Sequence, residues 1–130
     1  MKRLWVRHEI EAPPATVWGL LSDPESWPSW GPTVRSAELR GDSLRSGATG
    51  TVTTVLGFGL PFVITEFDDG ARWAWRVGGV AATDHTVDPL DEDRCRVGFG
   101  VPWLAAPYLA VCRVALRRLE SMATCARGDE

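Results

Sequence analysis

The chain has 130 residues, of which 45% are hydrophobic and 24% are charged, and its formal net charge is −3. This length and composition predict one globular domain over residues 1–130. A mildly acidic chain lacks the basic surface that phosphate contacts need, so nucleic acid is not expected as a partner, although Arg113, Arg117 and Arg118 form a local basic cluster.

The first residues become charged at positions 7–9, before any apolar run could form a secretory signal, and no apolar stretch approaches the length of a membrane span. Cys95, Cys112 and Cys125 are odd in number and lack a metal-binding spacing. We therefore expect buried, reduced thiols, a cytoplasmic location and no integral membrane association. Neither a cofactor nor a metal is predicted.

A strand and two short helices are predicted for the first 30 residues. Residues 3–11 alternate in polarity, which is typical of a half-buried strand. Its apolar face carries Leu4, Val6, His8 and Ile10. The proline pair at 13–14 suits the first turn of a helix, which ends at Asp23-Pro24 because the residue before proline avoids the α region. Residues 24–30 can form one or two further turns, with Trp27 and Trp30 on one side.

Turn residues then divide residues 33–101 into about six antiparallel strands linked by hairpins. The predicted turns lie at 41–42, 56–59, 68–70, 78–79 and 91–93. Side chains alternate between the two faces of a strand, and the apolar phase should face inward. The inward residues of the last three strands are Trp73, Trp75, Val77, Thr83, His85, Val87, Cys95, Val97, Phe99 and Val101.

Residues 103–126 change to a helical period and predict one long helix. Its apolar stripe consists of Leu104, Tyr108, Val111, Cys112, Ala115, Leu119 and Met122. The opposite side carries Arg113, Arg117, Glu120 and Thr124. Pro107 falls in the first turn, where proline costs little.

This order of elements resembles the SRPBCC, or START-like, superfamily of polyketide cyclases, plant allergens and lipid carriers. The motifs that carry the resemblance are Ile10-x-Ala12-Pro13-x-x-x-Val17-Trp18-x-x-Leu21-x-Asp23 and Trp27-Pro28-x-Trp30. The resemblance implies an α+β helix-grip fold, in which a curved antiparallel sheet of about seven strands wraps around the long C-terminal helix. It is specific for the fold, and because members differ in function, it does not choose among activities.

In such a fold an apolar cavity separates the helix from the sheet, and the inward phases predict its lining. The expected ligand-binding residues are Trp30, Phe62, Trp73, Trp75, Val77, Val87, Val97, Phe99, Tyr108 and Val111. Trp30 and the 57–62 loop are expected near the mouth, and Trp18 and Trp27 in the corner between the first strand and the short helices. The alternative is that Trp73 and Trp75 simply fill the core.

His85 is the strongest candidate for chemistry, because the strand phase points it inward among apolar neighbours. Either it is a core histidine bonded to Thr83, Tyr108 or the backbone, or it is a donor or general base at the cavity wall. Asp84 points to the opposite face and is expected to pair there with Arg76 or Arg96. His8 should lie roughly 10 Å from His85 across two strand spacings, too far to share a metal.

Three functions fit these observations. The first is binding or transport of a small hydrophobic molecule, either lipid-like or an aromatic polyketide, without catalysis. The second is a cyclase or aromatase in which His85 and Tyr108 move protons. The third is a protein-interaction module, for which Trp5, on the face expected to be wet, would mark a homodimer contact.

Overall fold

The computed structural model describes residues 2–128 and contains a curved, seven-stranded antiparallel sheet with its helices packed against one face. The strands are β1 (Arg3–Ile10), β2 (Val34–Leu39), β3 (Thr49–Thr54), β4 (Gly59–Asp68), β5 (Arg72–Val77), β6 (Val80–Asp91) and β7 (Arg94–Pro102). The helices are α1 (Pro14–Ser22), α2 (Trp27–Trp30) and α3 (Leu109–Gly128), and a 3₁₀ segment covers Trp103–Tyr108. No helix within residues 2–128 is long and apolar enough to cross a membrane.

The strand order is β1-β7-β6-β5-β4-β3-β2, so the chain crosses from one edge of the sheet to the other between β1 and β2. The two short helices make this crossing, and the remaining strands follow as hairpins. The helix-grip fold predicted from the sequence is therefore confirmed. All five predicted turns are present, and at the tightest one Gly78 and Gly79 have φ values of 60° and 80°, which only glycine adopts without strain.

The C-terminal helix begins later than predicted. The segment before α3 is a 3₁₀ helix interrupted at Ala105, whose φ of −103° and ψ of 25° are not helical. Pro107 lies within this segment and cannot donate a backbone hydrogen bond, so the α-helical register starts only at Leu109. As a result the inclusion of Leu104 in the buried stripe was wrong, since 73% of it is exposed.

The buried face of α3 supplies one side of the core. It consists of Cys112, Ala115, Leu116, Leu119 and Ala123. Three of these belong to the predicted stripe. Cys95 and Cys112 are buried free thiols, as expected, whereas Cys125 is exposed. His8 faces α3 from β1 and lies 3.0 Å from Glu120, which the sequence analysis had placed on the outer side of the helix.

Asp84 was predicted to form a surface pair with Arg76 or Arg96, and this was wrong. Its side chain is fully buried on the face of the sheet opposite α3. The Arg72 guanidinium donates to both carboxylate oxygens, through Nε at 2.8 Å and a terminal nitrogen at 2.5 Å, and the Arg3 guanidinium lies 4.0 Å away. Arg72 follows the β4–β5 turn and pairs with Thr86, which brings its side chain beside Asp84 on the neighbouring strand.

Trp5 covers part of the same outer face. Its indole lies so close to Gly100 that a Cβ there would sit 2.9 Å from two ring atoms, and the Arg7 guanidinium is 4.8 Å above the ring. Trp5 is therefore half-buried against the neighbouring strand and is not the freely exposed edge residue that the homodimer hypothesis assumed.

We predict that Asp84→Asn lowers the free energy of unfolding by about 2 kcal/mol, because two guanidinium groups lose their buried carboxylate. Asp91→Asn is the matched control, since Asp91 pairs with Arg94 at the surface, and little change is expected there. Urea unfolding of the two variants measures the difference, and equal effects would contradict the interpretation.

Candidate ligand-binding site

Three stacked rings occupy the space between the sheet and the helices. Trp73 lies in the middle, with its ring centroid 5.1 Å from Trp27 and 3.8 Å from His85, and the planes are tilted by only 16° and 21°. Trp73 and His85 are direct cross-strand partners on β5 and β6. Offset stacking of this kind adds about 0.5–1.5 kcal/mol per aromatic pair beyond the area that is buried.

Trp27 joins this stack because α2 is fixed to the end of α1. The indole N–H of Trp27 donates to the carbonyl of Leu21 at 2.8 Å, and that of Trp30 donates to the carbonyl of Leu20 at 3.0 Å. Both acceptors lie in the last turn of α1, where carbonyl groups lack partners within the helix. The prediction that Trp27 packs the corner was wrong, because these bonds direct both indoles of α2 towards the sheet.

Further rings close the stack at its edges. Trp75 contacts Trp73 edge to face at 5.3 Å, and Phe99 contacts His85 in the same way at 5.1 Å. The Trp73 indole N–H is buried here without an acceptor. Packing of large aromatic surfaces therefore determines how the side chains are arranged in this region, although it leaves one hydrogen-bond donor unpaired.

The hydrogen bonds of His85 define its tautomer. Nδ1 lies 3.1 Å from the carbonyl of Trp73, which can only accept, so Nδ1 carries the proton. Nε2 lies 2.9 Å from the hydroxyl of Thr83 and therefore accepts from it. The same hydroxyl oxygen accepts the indole N–H of Trp75 at 2.9 Å. His85 thus has both ring nitrogens satisfied by Thr83 and the backbone, two of the partners proposed from the sequence.

Burial lowers the pKa of His85 from 6.5 to about 4, because the charged imidazolium would lose its hydration in this apolar stack. The ring is therefore neutral at pH 7. The lowered pKa agrees with the hydrogen bonds, since a proton on Nε2 would compete with the hydroxyl proton that Thr83 donates. The ring lines the same cavity as Thr83.

Two adjoining chambers open beside the stack. The inner one has a volume of about 40 Å³ and the outer one about 330 Å³. Five residues line both and mark the passage between them: Thr33, Val34, Trp75, Thr83 and Tyr108. The inner chamber is small because four bulky tryptophans, at 27, 30, 73 and 75, are among its wall residues.

The outer chamber lies between the β5–β6 hairpin, the end of β3, the start of β2 and the 3₁₀ segment. Its further wall residues are almost all apolar and comprise Val52, Thr54, Val77, Ala81, Ala82, Val101, Pro102 and Ala105. Polar groups are concentrated at the passage, where the hydroxyls of Tyr108 and Thr33 lie 2.7 Å apart. Desolvation raises the pKa of the Tyr108 phenol, which stays neutral.

The predicted ligand-binding residues fall into two groups. The inner wall includes Trp30, Trp73, Trp75, Phe99, Tyr108 and Val111, and the outer wall includes Trp75, Val77 and Tyr108. The structure places Phe62, Val87 and Val97 in closed core instead. Val87 and Val97 pair with each other two residues further along the strands than the pair of His85 and Phe99. They therefore lie about 7 Å further from the mouth. Phe62 packs between Trp27 and Trp75.

Sequence reasoning missed Trp27 and Thr33 as wall residues. The i, i+3 spacing of Trp27 and Trp30 was the available signal for the first, because residues at this spacing share one helical side. Thr33 lies in a loop without a periodic pattern and gave no signal. No cluster of three potential metal ligands occurs among residues 2–128. His8 on β1 and His85 on β6 lie on either side of β7, where they pair with Val97 and Phe99 respectively.

A family model described as "Polyketide cyclase / dehydrase and lipid transport" matches residues 1–123. The chain belongs to this family. Among proteins with curated descriptions, none matches the sequence.

Several solved structures share the fold of this family member. A protein from Thermobifida fusca is 25% identical, with a TM-score of 0.71 over 95% of this chain and 93% of that chain. The di-domain ARO/CYC protein BexL, from the BE-7585A biosynthetic pathway, is 15% identical, with a TM-score of 0.73 over 92% of this chain and 45% of that chain. A norcoclaurine synthase from Thalictrum flavum is 13% identical, with a TM-score of 0.62 over 97% and 96%.

We predict that His85 makes the stability of the protein depend on pH. Because the pKa is about 4 when folded and 6.5 when unfolded, the unfolded chain binds more protons between these values. The free energy of unfolding should therefore be highest above pH 6.5 and fall by up to about 3 kcal/mol as the pH drops to 4.

Urea unfolding at a series of pH values measures this slope. His85→Gln, which stays neutral, should remove the His85 contribution. His8→Gln is the matched control, because His8 is half-exposed beside Glu120. If His85→Gln keeps the full slope of the unmodified protein between pH 6.5 and 4, the neutral buried state of His85 is wrong.

Proposed function

We propose that this protein binds a small apolar molecule in the outer chamber, with any polar group of that molecule placed at the passage beside Thr83. The observation that carries the proposal is the outer chamber itself, an open apolar pocket of about 330 Å³ with hydroxyl groups at one end. Ligand pockets are usually of this kind, mainly apolar with a few polar groups that fix orientation.

The dimensions limit the ligand. A cavity of about 150 Å³ accommodates a benzene ring, so the outer chamber suits one or two fused rings or a short branched chain. The inner chamber has room for roughly three water molecules, so only a small substituent could enter it. A long acyl chain would require the tryptophan stack to move, and such a ligand is disfavoured.

The hydroxyl of Thr83 sets the polarity of the buried end. Its proton is donated to His85, and one lone pair accepts the Trp75 indole N–H. One lone pair remains, so the group best recognised there is a hydrogen-bond donor such as a phenol or alcohol. This supports a hydroxylated aromatic compound among the aromatic, polyketide-like ligands suggested by the sequence.

The test blocks the outer chamber with a larger side chain placed on its wall. Ala105 lies on its wall in the 3₁₀ segment and is half-buried. Ala105→Trp should lower affinity for a small phenolic ligand, such as a naphthol, at least tenfold, because the indole would occupy the pocket. Ala110→Trp places the same residue on the exposed side of α3 and is the matched control.

Isothermal titration calorimetry compares the two variants, and native mass spectrometry of the purified protein identifies any retained molecule. The proposal fails if the Ala105→Trp protein binds as tightly as the control, or if no naphthol, short-chain alcohol or alkylbenzene binds the unmodified protein.

A cyclase or aromatase activity is the second candidate, supported by one observation. His85 Nε2 is bonded to a hydroxyl that lines both chambers, so Thr83 could pass a proton between a bound molecule and the imidazole. The lowered pKa weighs against it, because a base with a pKa of about 4 accepts protons weakly at pH 7.

If His85 acts as this base, His85→Gln should lower kcat for a polyketide-like substrate about 100-fold or more. The turnover rate of the unmodified protein should then fall only as the pH approaches 4, whereas with a base of ordinary pKa it would fall near pH 6.5. Full turnover by His85→Gln would remove His85 from the mechanism, and the same experiment on Tyr108→Phe tests the second residue.

A further inference from the structure

The loops at one end of the sheet form a rim around the outer chamber. The registers place the β3–β4 turn, the β5–β6 turn and the end of β7 at this same end, because Phe62 pairs with Val77 and Asp84 pairs with Gly100. The 3₁₀ segment continues directly from β7, and its first residue, Trp103, bonds the carbonyl of Lys2. Three separate stretches of chain therefore meet at the mouth.

These three stretches contain no charged residue. Residues 46–65, 77–83 and 97–112 lack Asp, Glu, Lys and Arg altogether, although 24% of the chain is charged. They also carry most of the large exposed apolar side chains of the protein. Six of these side chains are between 53% and 81% accessible, and we call them the apolar rim: Val55, Leu56, Phe58, Val80, Trp103 and Leu104.

The nearest exposed charges around the apolar rim are positive. Lys2 adjoins the start of β1, Arg35 follows the first residue of β2, and Arg76 precedes the β5–β6 turn. Among residues 2–128, none of these three cations has a carboxylate partner. Asp84, the closest acidic residue on β6, is buried and already paired.

The opposite end of the sheet is acidic. Asp68 ends β4 and Asp69 follows it, and Asp91 ends β6 before Glu92 and Asp93 in the turn to β7. The α1–α2 connection adds Asp23 and Glu25 on the same side, since Trp18 of α1 bonds Asp69. The chain, although negative overall, thus presents apolar side chains and unpaired cations at the mouth, and the carboxylates of these turns lie at the opposite end.

We propose that the apolar rim docks on an anionic lipid surface, with Lys2, Arg35 and Arg76 facing the headgroups. Exposed apolar side chains with a tryptophan and neighbouring cations are the combination that binds peripherally to such membranes. A two-fold dimer through the same rim would bring the three cations of each copy together, which disfavours a second copy. If the proposed ligand pocket operates, docking would let an apolar ligand pass from lipid to chamber without crossing water.

The experiment is co-sedimentation with vesicles of phosphatidylcholine, alone or with roughly a quarter of phosphatidylglycerol. The unmodified protein should bind the anionic vesicles. The double variant Leu56→Ser with Phe58→Ser should bind them at least about tenfold more weakly, because two apolar side chains no longer enter the lipid. Both residues lie in an exposed turn outside the chamber walls, so the fold should be kept.

Arg35→Gln and Arg76→Gln should each lower binding to the anionic vesicles roughly fivefold and leave binding to phosphatidylcholine unchanged. Leu90→Ser is the matched control, because Leu90 is an exposed leucine at the acidic end, and it should bind as the unmodified protein does. Absence of vesicle binding, or equal loss in the Leu90 variant, would overturn the proposal. So would a dimer in light scattering that the rim variant converts to monomer.

The proposed ligand binding is measured separately, by naphthol titration in buffer without lipid. The rim variant should bind naphthol as the unmodified protein does. A protein that binds naphthol and no vesicles would retain the pocket and lose the docking surface, and the reverse result would retain the docking surface alone.

Discussion

Burial of a neutral imidazole against an indole fixes the geometry on which the site depends. His85 can stay in the stack only while both its nitrogens are bonded, and this requirement holds Thr83 and the Trp73 backbone at set positions. Thr83 in turn holds the indole of Trp75. The passage between the chambers is therefore shaped by a connected network, in which each polar group satisfies the next.

The elements of the fold follow from patterns that are local in the sequence. Alternation in β1 and in β5 to β7, glycine and aspartate at the turns, and the prolines before α1 each act within a few residues. The inward position of His85 and its bond to Thr83 follow from the same alternation, because residues 83 and 85 share a face. These features could be predicted because one strand or one turn determines each of them.

Features that depend on distant segments could not be read in the same way. The burial of Asp84 depends on Arg72 across one strand and on Arg3 near the N-terminus, and sequence spacing does not show that these meet. Val87 and Val97 have the correct phase, yet cavity and core differ only by position along the strand. The family includes both cyclases and lipid carriers by description, so the chamber dimensions, which no motif encodes, decide what can bind.

The uneven placement of charge has a consequence for motion in solution. With cations near the mouth and carboxylates at the other end of the strands, the molecule carries an electric dipole along the sheet. An external field from any charged surface or macromolecule exerts a torque on such a dipole and turns it before contact. Ionic strength then sets not only how often the molecule meets that surface but also which end arrives first, since salt screens the field within about 10 Å.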